Sequence, residues 1–573
     1  MDDALRTRVR EAAETAALEN ALRHDGDAQV QAIVGPLLAD NPAFRDHADE
    51  IADVVAPIVA DVNSMDRDAQ RDRLASLAPD RLADIDADQD EAATGLPALP
   101  AVEDYDQVRM RMAPNPNGPW HLGNARMCAV VGRYKERYDG WFVCRFDDTD
   151  PETKRPDLDA YDWILEDIDY LGFEPDAVLY ASDRLDTYYE YARDLIDLGG
   201  AYTCTCAAER FRELKNAGEP CPHRDKDPAT VHEEFDRMVA GDPDPGEMVV
   251  RVKTDIDHDD PALRDWVAFR MLDTPHPRPA ASEYRCWPML DFQSGIDDHL
   301  TGITHIIRGI DLQDSAKKQA YVYDYFGWEY PEVLHWGRIQ VDAYDVPMST
   351  STIKELIAAG DLDGWDDPRA PTVRSLRRRG IRGDAIVEAM VDLGLSTSDV
   401  DLAMSSIYAN NRELVDDDAD RCFFVRDGVA KQVIGGPDAG TPPIHPDHEE
   451  RGTRTIPVTG SVLVEPGDVP ASGDRIWLKG FGPVKHTRDA FEYTGEDLSI
   501  VRDGDVPVVH WVPADAGVPV TVRTMDGDVD GLAEPGFADY DSDAFLQFER
   551  VGFVRVDRPV TDDADGIAYY AHP

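Results

Sequence analysis

The chain has 573 residues and a formal charge of −56, with 114 acidic residues against 58 basic ones, so one hydrophobic core cannot serve its length and roughly three to five domains are expected. A hydrophobic fraction of 42% argues against a disordered acidic protein, and no apolar run approaches the ~20 residues that span a bilayer, which excludes a helical membrane protein. Seven cysteines with no export signal at Met1-Asp2-Asp3-Ala4-Leu5-Arg6 exclude a disulfide framework, and a cytoplasmic location is expected.

Residues 1–98 are rich in Ala and Asp. Helical spacing runs over Glu11 to Arg23, Gln29 to Val34, Ala48 to Val62, where Pro57 is placed to kink the helix, and Asp66 to Leu77. This helical domain, which carries no chemical motif, ends at the hinge Leu96-Pro97-Ala98-Leu99-Pro100. Over 105–203, strand-like runs (Val108 to Met112, Trp141 to Phe146) alternate with helical ones (His121 to about Tyr138, Leu158 to Leu171), the mark of a parallel α/β sheet. Residues 204–285 interrupt it with cysteines, Pro-rich loops and a strand, Met248 to Lys253. The α/β pattern resumes over 286–349 with Met289 to Phe292, His305 to Arg308 and a helix Ser315 to Phe326. A helical, Arg-bearing region fills 350–418. From 419 to 573, beginning near Cys422-Phe423-Phe424-Val425, short strands separated by turns such as Asp427-Gly428, Gly435-Gly436, Asp503-Gly504 and Asp526-Gly527 suit antiparallel barrels.

The most informative stretch is Ala113-Pro114-Asn115-Pro116-Asn117-Gly118-Pro119-Trp120-His121-Leu122-Gly123, a Pro/Asn/Gly turn between a strand and a helix. Helix-start amides there would face outward and favour a phosphate chain, a glycine would let it approach, and His121 would donate a hydrogen bond beside it. The second strand ends in Arg145-Phe146-Asp147-Asp148-Thr149-Asp150, and carboxylates at the carboxyl end of a parallel strand face the ligand crevice and suit an ammonium group. Arg308 directly follows the apolar His305-Ile306-Ile307. A buried guanidinium needs an anion, and either a protein Asp or a substrate carboxylate could supply it. Pro347-Met348-Ser349-Thr350-Ser351-Thr352-Ile353-Lys354 precedes a helix, where hydroxyls and amides could hold phosphates or merely cap it. The cluster Arg374-Ser375-Leu376-Arg377-Arg378-Arg379-Gly380-Ile381-Arg382 stands out in so acidic a chain and reads as a phosphate-backbone contact. Cys204-Thr205-Cys206 and Cys221-Pro222-His223 offer four ligands that suit tetrahedral zinc, with unligated thiols the alternative.

His121-Leu122-Gly123-Asn124 resembles the HIGH signature of class I aminoacyl-tRNA synthetases, with Asn in place of the last His. Residues 105–573 are similar, in order, to the glutamyl/glutaminyl branch of that class in its archaeal-type form. The resemblance implies a Rossmann-like catalytic domain split by an acceptor-end insertion, then a helical stem-contact domain and a β-barrel anticodon-binding region. It implies ATP-dependent joining of glutamate to tRNA(Glu), and to tRNA(Gln) as a further candidate, by a monomer using Mg²⁺, with tRNA needed even for the first step. His121, Gly123, Asn124, Ser349 and Ser351 would be catalytic. Arg111 would contact the substrate carboxylate, Asp147 its ammonium and Arg308 its side-chain carboxylate, while Arg377, Arg378 and Arg379 would hold tRNA. Two departures stand out. Pro347 and Thr350 replace both lysines of KMSKS, leaving Lys354 as a substitute, and Leu290 stands where relatives often place a Tyr. The rivals are a glutamine ligase, disfavoured by Arg308, and a non-catalytic tRNA-binding paralogue. The high negative charge is no obstacle to an RNA partner in salt, because at about 1 M the Debye length shrinks to roughly 3 Å.

Overall fold

The computed structural model describes residues 3–24, 26–40, 44, 47–83, 85, 95–341, 343–495, 506–561 and 563–573, and the turn expected at Asp503-Gly504 lies outside them. The chain divides into two compact units, Met1–Pro100 and Ala101–Pro573. Among the described residues no helix is long and apolar enough to cross a membrane.

In the first unit the helices Asp3–Arg23, Val30–Asp40, Ala48–Asn63 and Arg67–Leu77 pack around Val9, Ala13, Ala17, Ile51, Val55 and Leu74. Ala48–Asn63 runs through Pro57 without ending. The second unit is built on parallel strands Arg109–Met112, Trp141–Phe146 and Ala177–Tyr180, in that order. On the free edge of Arg109–Met112, Thr304 N donates to Arg109 O at 2.9 Å and leads into the parallel pair His305–Gly309 and Glu332–Trp336. Helices Leu122–Arg137, Leu158–Tyr170 and Gln313–Phe326 follow their strands, and Trp141–Phe146 and His305–Gly309 are buried almost throughout, as in a sheet covered on both faces. The carboxyl ends of these strands open on one crevice.

The interruption is an antiparallel sheet, Ala201–Cys204, Val249–Val252, Val267–Met271 and Cys286–Pro288, packed on helices Ala208–Ala217 and Pro228–Val239. It therefore reaches a few residues beyond 204–285 at each end, because Ala201–Cys204 pairs with Val249–Val252 and not with the parallel sheet. Met289 to Phe292 is no strand: Met289 precedes helix Leu290–Leu300, and so short an apolar run does not reveal its period. Beyond 419 there are two seven-stranded sheets. In each, the two edge strands are neighbours in sequence (Asp420–Cys422 with Phe424–Val425, Val508–Val509 with Val512–Pro513), so each sheet curls until its edges approach, in barrel-like form. Alternation along one strand serves both cores: Cys422 and Phe424 point into one, Phe423 and Val425 into the other.

Candidate active site and nucleic-acid groove

The turn after Arg109–Met112 is stitched to the end of the next strand, with Asp147 N donating to Pro114 O at 3.0 Å and Asn115 Nδ2 to Asp147 O at 2.9 Å. It forms one wall of a cavity of about 650 Å³ that also receives Arg111, His121, Asn124, Asp147, Arg308 and Met348 to Ser351. The residues expected at the nucleotide and amino-acid sites thus share one cleft. Gly118 lets this turn and the segment Met348 to Ser351 come together, since a Cβ there would lie 2.6 Å from Thr350 Cγ2.

His121 caps helix Leu122–Arg137. Its Nδ1 accepts the Gly123 N–H at 3.1 Å, which leaves the ring proton on Nε2. A Cβ on Gly123 would sit 2.9 Å from the His121 ring, so glycine is what allows this fold-back. Burial pushes the His121 pKa down to about 4, making the ring a neutral donor at pH 7. One expectation is corrected here. The helix-start amides are not free for phosphate: Leu122 N donates to Pro371 O (3.0 Å), Gly123 N to His121, and Asn124 N to His121 O (2.9 Å). An anion at this corner meets side chains, His121 Nε2 and Asn124, and not a row of amides.

The opposite end of the cleft holds a charge network. Asp298 accepts from Arg111 (3.2 Å) and Arg145 (2.7 Å), and Arg145 also donates to Asp147 at 2.8 Å. Burial opposes ionisation of Asp298, but the guanidinium groups of Arg111, Arg145 and Arg308 outweigh it and hold its pKa below the usual carboxylate range. Sequence reasoning assigned no role to Arg145, which opens the segment Arg145 to Asp150, or to Asp298. Arg308 is different. It is 4% exposed, donates to Gln319 Oε1 at 3.2 Å and Tyr330 Oη at 3.4 Å, leaves Nε without a partner, and has no carboxylate within 4 Å among the described residues. Burial first, then Arg111, pushes its pKa down. Asp298 attracts Arg308 only from beyond 4 Å and is already held by Arg111 and Arg145, so among the described residues Arg308 has no carboxylate partner of its own. Leu290 also lines the cleft.

Ser349 caps helix Thr350–Ala359, accepting from Thr352 N at 3.4 Å, and Ser351 lies beside it at the cleft. Lys354 does not take the place of the absent lysines, because it points away to pair with Asp157 at 2.9 Å. The lysine that lines the cleft is Lys154, exposed on the loop that follows Asp147 to Asp150.

A second concavity, of about 730 Å³, lies between helices Leu158–Tyr170 and Val373–Arg379 and the C-terminal sheet, and carries Arg374, Arg377, Arg378, Arg382 and Arg555. The arginine triplet does not act as one patch. Arg379 is 1% exposed and donates to Tyr570 O, Ala571 O and the Tyr408 hydroxyl, so its assignment to tRNA is corrected: it ties the helical region to the last strand. Arg378 pairs with Asp366 (2.9 Å) and Asp557 (3.0 Å). Arg377 is exposed, 5.0 Å over the Tyr170 ring, and Arg382, the last arginine of the cluster, is exposed and lines the same concavity.

Comparison with known proteins decides the family. Residues 107–417 match the catalytic domain of class I tRNA synthetases (E and Q), and 419–501 and 508–557 match the two anticodon-binding domains of the same family. The chain belongs to the class I glutamyl and glutaminyl tRNA synthetases. It is 66% identical over the full length of both chains to the glutamate–tRNA ligase of Haloarcula marismortui, and 64% identical, again over both full lengths, to that of Natronomonas pharaonis. The glutamate–tRNA ligase of Methanocella arvoryzae is 44% identical over 97% of this chain and 98% of its own. Two of these relatives are haloarchaeal, and a chain so rich in Asp and Glu stays hydrated and dissolved in concentrated salt, where charge repulsion is screened.

In this synthetase the insertion gathers Cys204, Cys206, Cys221 and His223, whose ligand atoms all lie within 4.8 Å of one another. Sγ–Sγ separations are 3.4 and 3.5 Å and Sγ–Nδ1 separations 3.3 and 3.5 Å. The edges of a tetrahedron with Zn–S near 2.3 Å are about 3.8 Å, so these four separations lie near that spacing and the donor set suits one ion. Thr205 Oγ1 lies 3.1 Å from His223 Nε2, which leaves Nδ1 to face the sulfurs.

Proposed function

We propose that the enzyme activates glutamate with ATP and transfers it to tRNA(Glu). The observation that carries this is Arg308, a buried guanidinium in the cleft with no protein carboxylate, whose missing counter-charge a glutamate side chain supplies and a glutamine amide does not. Arg111 and Asp147 take the substrate's α-carboxylate and ammonium. One carboxylate oxygen of glutamate attacks the α-phosphorus as the bond to pyrophosphate breaks, and the terminal ribose hydroxyl of tRNA then attacks the acyl carbon and releases AMP. His121 Nε2, Asn124, Ser349 and Ser351 orient and stabilise the phosphates. Lys154 supplies the mobile cation that the segment Met348 to Ser351 lacks, and Mg²⁺, when bound with ATP, adds charge neutralisation. Cys204, Cys206, Cys221 and His223 would hold a zinc ion that fixes the acceptor-end insertion.

Charging of purified tRNA(Glu) and tRNA(Gln) with glutamate or glutamine in concentrated KCl tests the proposal. Glutamate on tRNA(Glu) is expected, and preferential use of glutamine would overturn it. The same assay reads whether tRNA(Gln) also receives glutamate, a matter for the two barrel-like sheets.

A further inference from the structure

The arginine groove and the catalytic cleft are joined by hydrogen bonds. Thr372, which caps the helix carrying Arg374, Arg377 and Arg378, forms an antiparallel bridge with His121, flanked by Val373 N to Trp120 O (2.9 Å) and Leu122 N to Pro371 O (3.0 Å). Side chains add a second link. Arg374, on the groove wall, pairs with Glu166 and lies 3.7 Å from Asp167 Oδ1, while Asp167 Oδ2 accepts the Trp120 N–H at 2.9 Å. The residue before His121 is thus held at its N–H by a carboxylate that faces a groove arginine, and at its C=O by the first residue of the arginine helix.

We propose that Arg374 is a positioning residue that couples occupancy of this groove by the tRNA phosphate backbone to the placement of His121. The proposal rests on the reading of the chain as a tRNA ligase. Arg374 already has two anions within reach, and a phosphate that accepts both arms of the guanidinium competes with Glu166 and Asp167 for it. Asp167 is 1% exposed, so a retreat of Arg374 leaves it with less counter-charge and a stronger call on its remaining donor, Trp120 N–H. The groove ligand therefore interacts differently with two arrangements of the Trp120–His121 backbone, which is what an equilibrium between them requires. Arg377 acts on Asp167 only through space, with no ion pair or hydrogen bond to it among the described residues, and Arg377 and Arg382 therefore serve chiefly affinity.

Pyrophosphate exchange into ATP, titrated with a tRNA(Glu) transcript, separates the roles. Arg374→Ala and Arg377→Ala should each weaken tRNA binding a few-fold. At saturating tRNA, Arg377→Ala should recover the wild-type rate, whereas Arg374→Ala should stay about tenfold below it, within the usual range of coupling between sites. Because coupling is reciprocal, a non-hydrolysable ATP analogue should tighten tRNA binding to the wild type and not to Arg374→Ala. Should Arg374→Ala fail to fold, Asp167→Asn keeps the test: it should lower the rate at saturating tRNA while tRNA binds at least as tightly, since Asp167 does not line the groove and its charge no longer competes for Arg374. Full recovery of either variant at saturating tRNA would overturn the coupling. Failure of the wild type to charge any tRNA with glutamate would instead overturn the reading beneath it.

Discussion

Two buried arginines show how the same side chain serves opposite ends. Arg379, at the junction of the helical region and the last strand, is 1% exposed and spends its guanidinium on two main-chain carbonyls and tyrosine hydroxyls. Arg308, in the cleft, is 4% exposed and has two long contacts, an unpartnered Nε and no carboxylate. Burial is common to both, and satisfaction is not. A buried cation with every donor placed is a structural clamp, while one left short in a cleft is a candidate to meet a ligand.

That contrast is breakable by experiment. Arg379→Met should destabilise the fold by about 3–5 kcal/mol, because it strands the carbonyls of Tyr570 and Ala571, while the glutamate KM of the folded fraction stays unchanged; denaturant unfolding and steady-state kinetics check the two halves. Arg308→Leu should do the reverse, lowering kcat/KM for glutamate by about 2–4 kcal/mol with little change in unfolding midpoint, and unchanged glutamate kinetics would remove Arg308 from substrate recognition.

The linkage between cleft and groove gives a pH-dependent test. Burial raises the Asp167 pKa to about 7, above its unfolded value. The native state therefore holds more protons than the unfolded one between about pH 4 and 7, and stability falls as pH rises through that window. Asp167→Asn keeps an acceptor for Trp120 N–H without the charge, so it should gain about 2 kcal/mol relative to wild type between pH 5 and pH 8, measured by unfolding at the two values. A variant both more stable and less responsive to tRNA is not what a purely structural carboxylate would give. The smallest effect belongs to the groove surface: Arg377→Ala with Arg382→Ala should weaken all tRNAs alike and make log K against log [KCl] shallower by about one to two, whereas coincident slopes would show that neither touches the backbone.

Much of this was legible in sequence because the causes are local. Strand Trp141–Phe146, the turn from Ala113 to Trp120, the helix it opens and the pairs Cys204/Cys206 and Cys221/His223 are set by periodicity, turn chemistry and close spacing. Most of what sequence reasoning misplaced depended on distant partners. Of the amides after His121, that of Leu122 is taken by Pro371, some 250 positions away, while those of Gly123 and Asn124 are taken locally by His121 folding back on the turn; Arg377 to Arg379 looked like one basic patch because Asp557, Tyr570 and Ala571 come from the far end of the chain. Lys354 looked available until Asp157 was found beside it, and Lys154 went unnoticed because nothing local places it at the cleft.

By itself, then, the sequence determined the kinds of element, their order and the chemistry offered at each turn, since backbone propensity and side-chain type act over a few residues. Only the tertiary structure decided which of those groups remain unpaired. A hydrogen bond or ion pair needs its partner within a few ångströms, and which residues come that close is set by packing across hundreds of positions. Arg308 and Arg379 both stand directly before a glycine in the sequence; their surroundings in the fold leave one short of partners in a cleft and make the other a clamp.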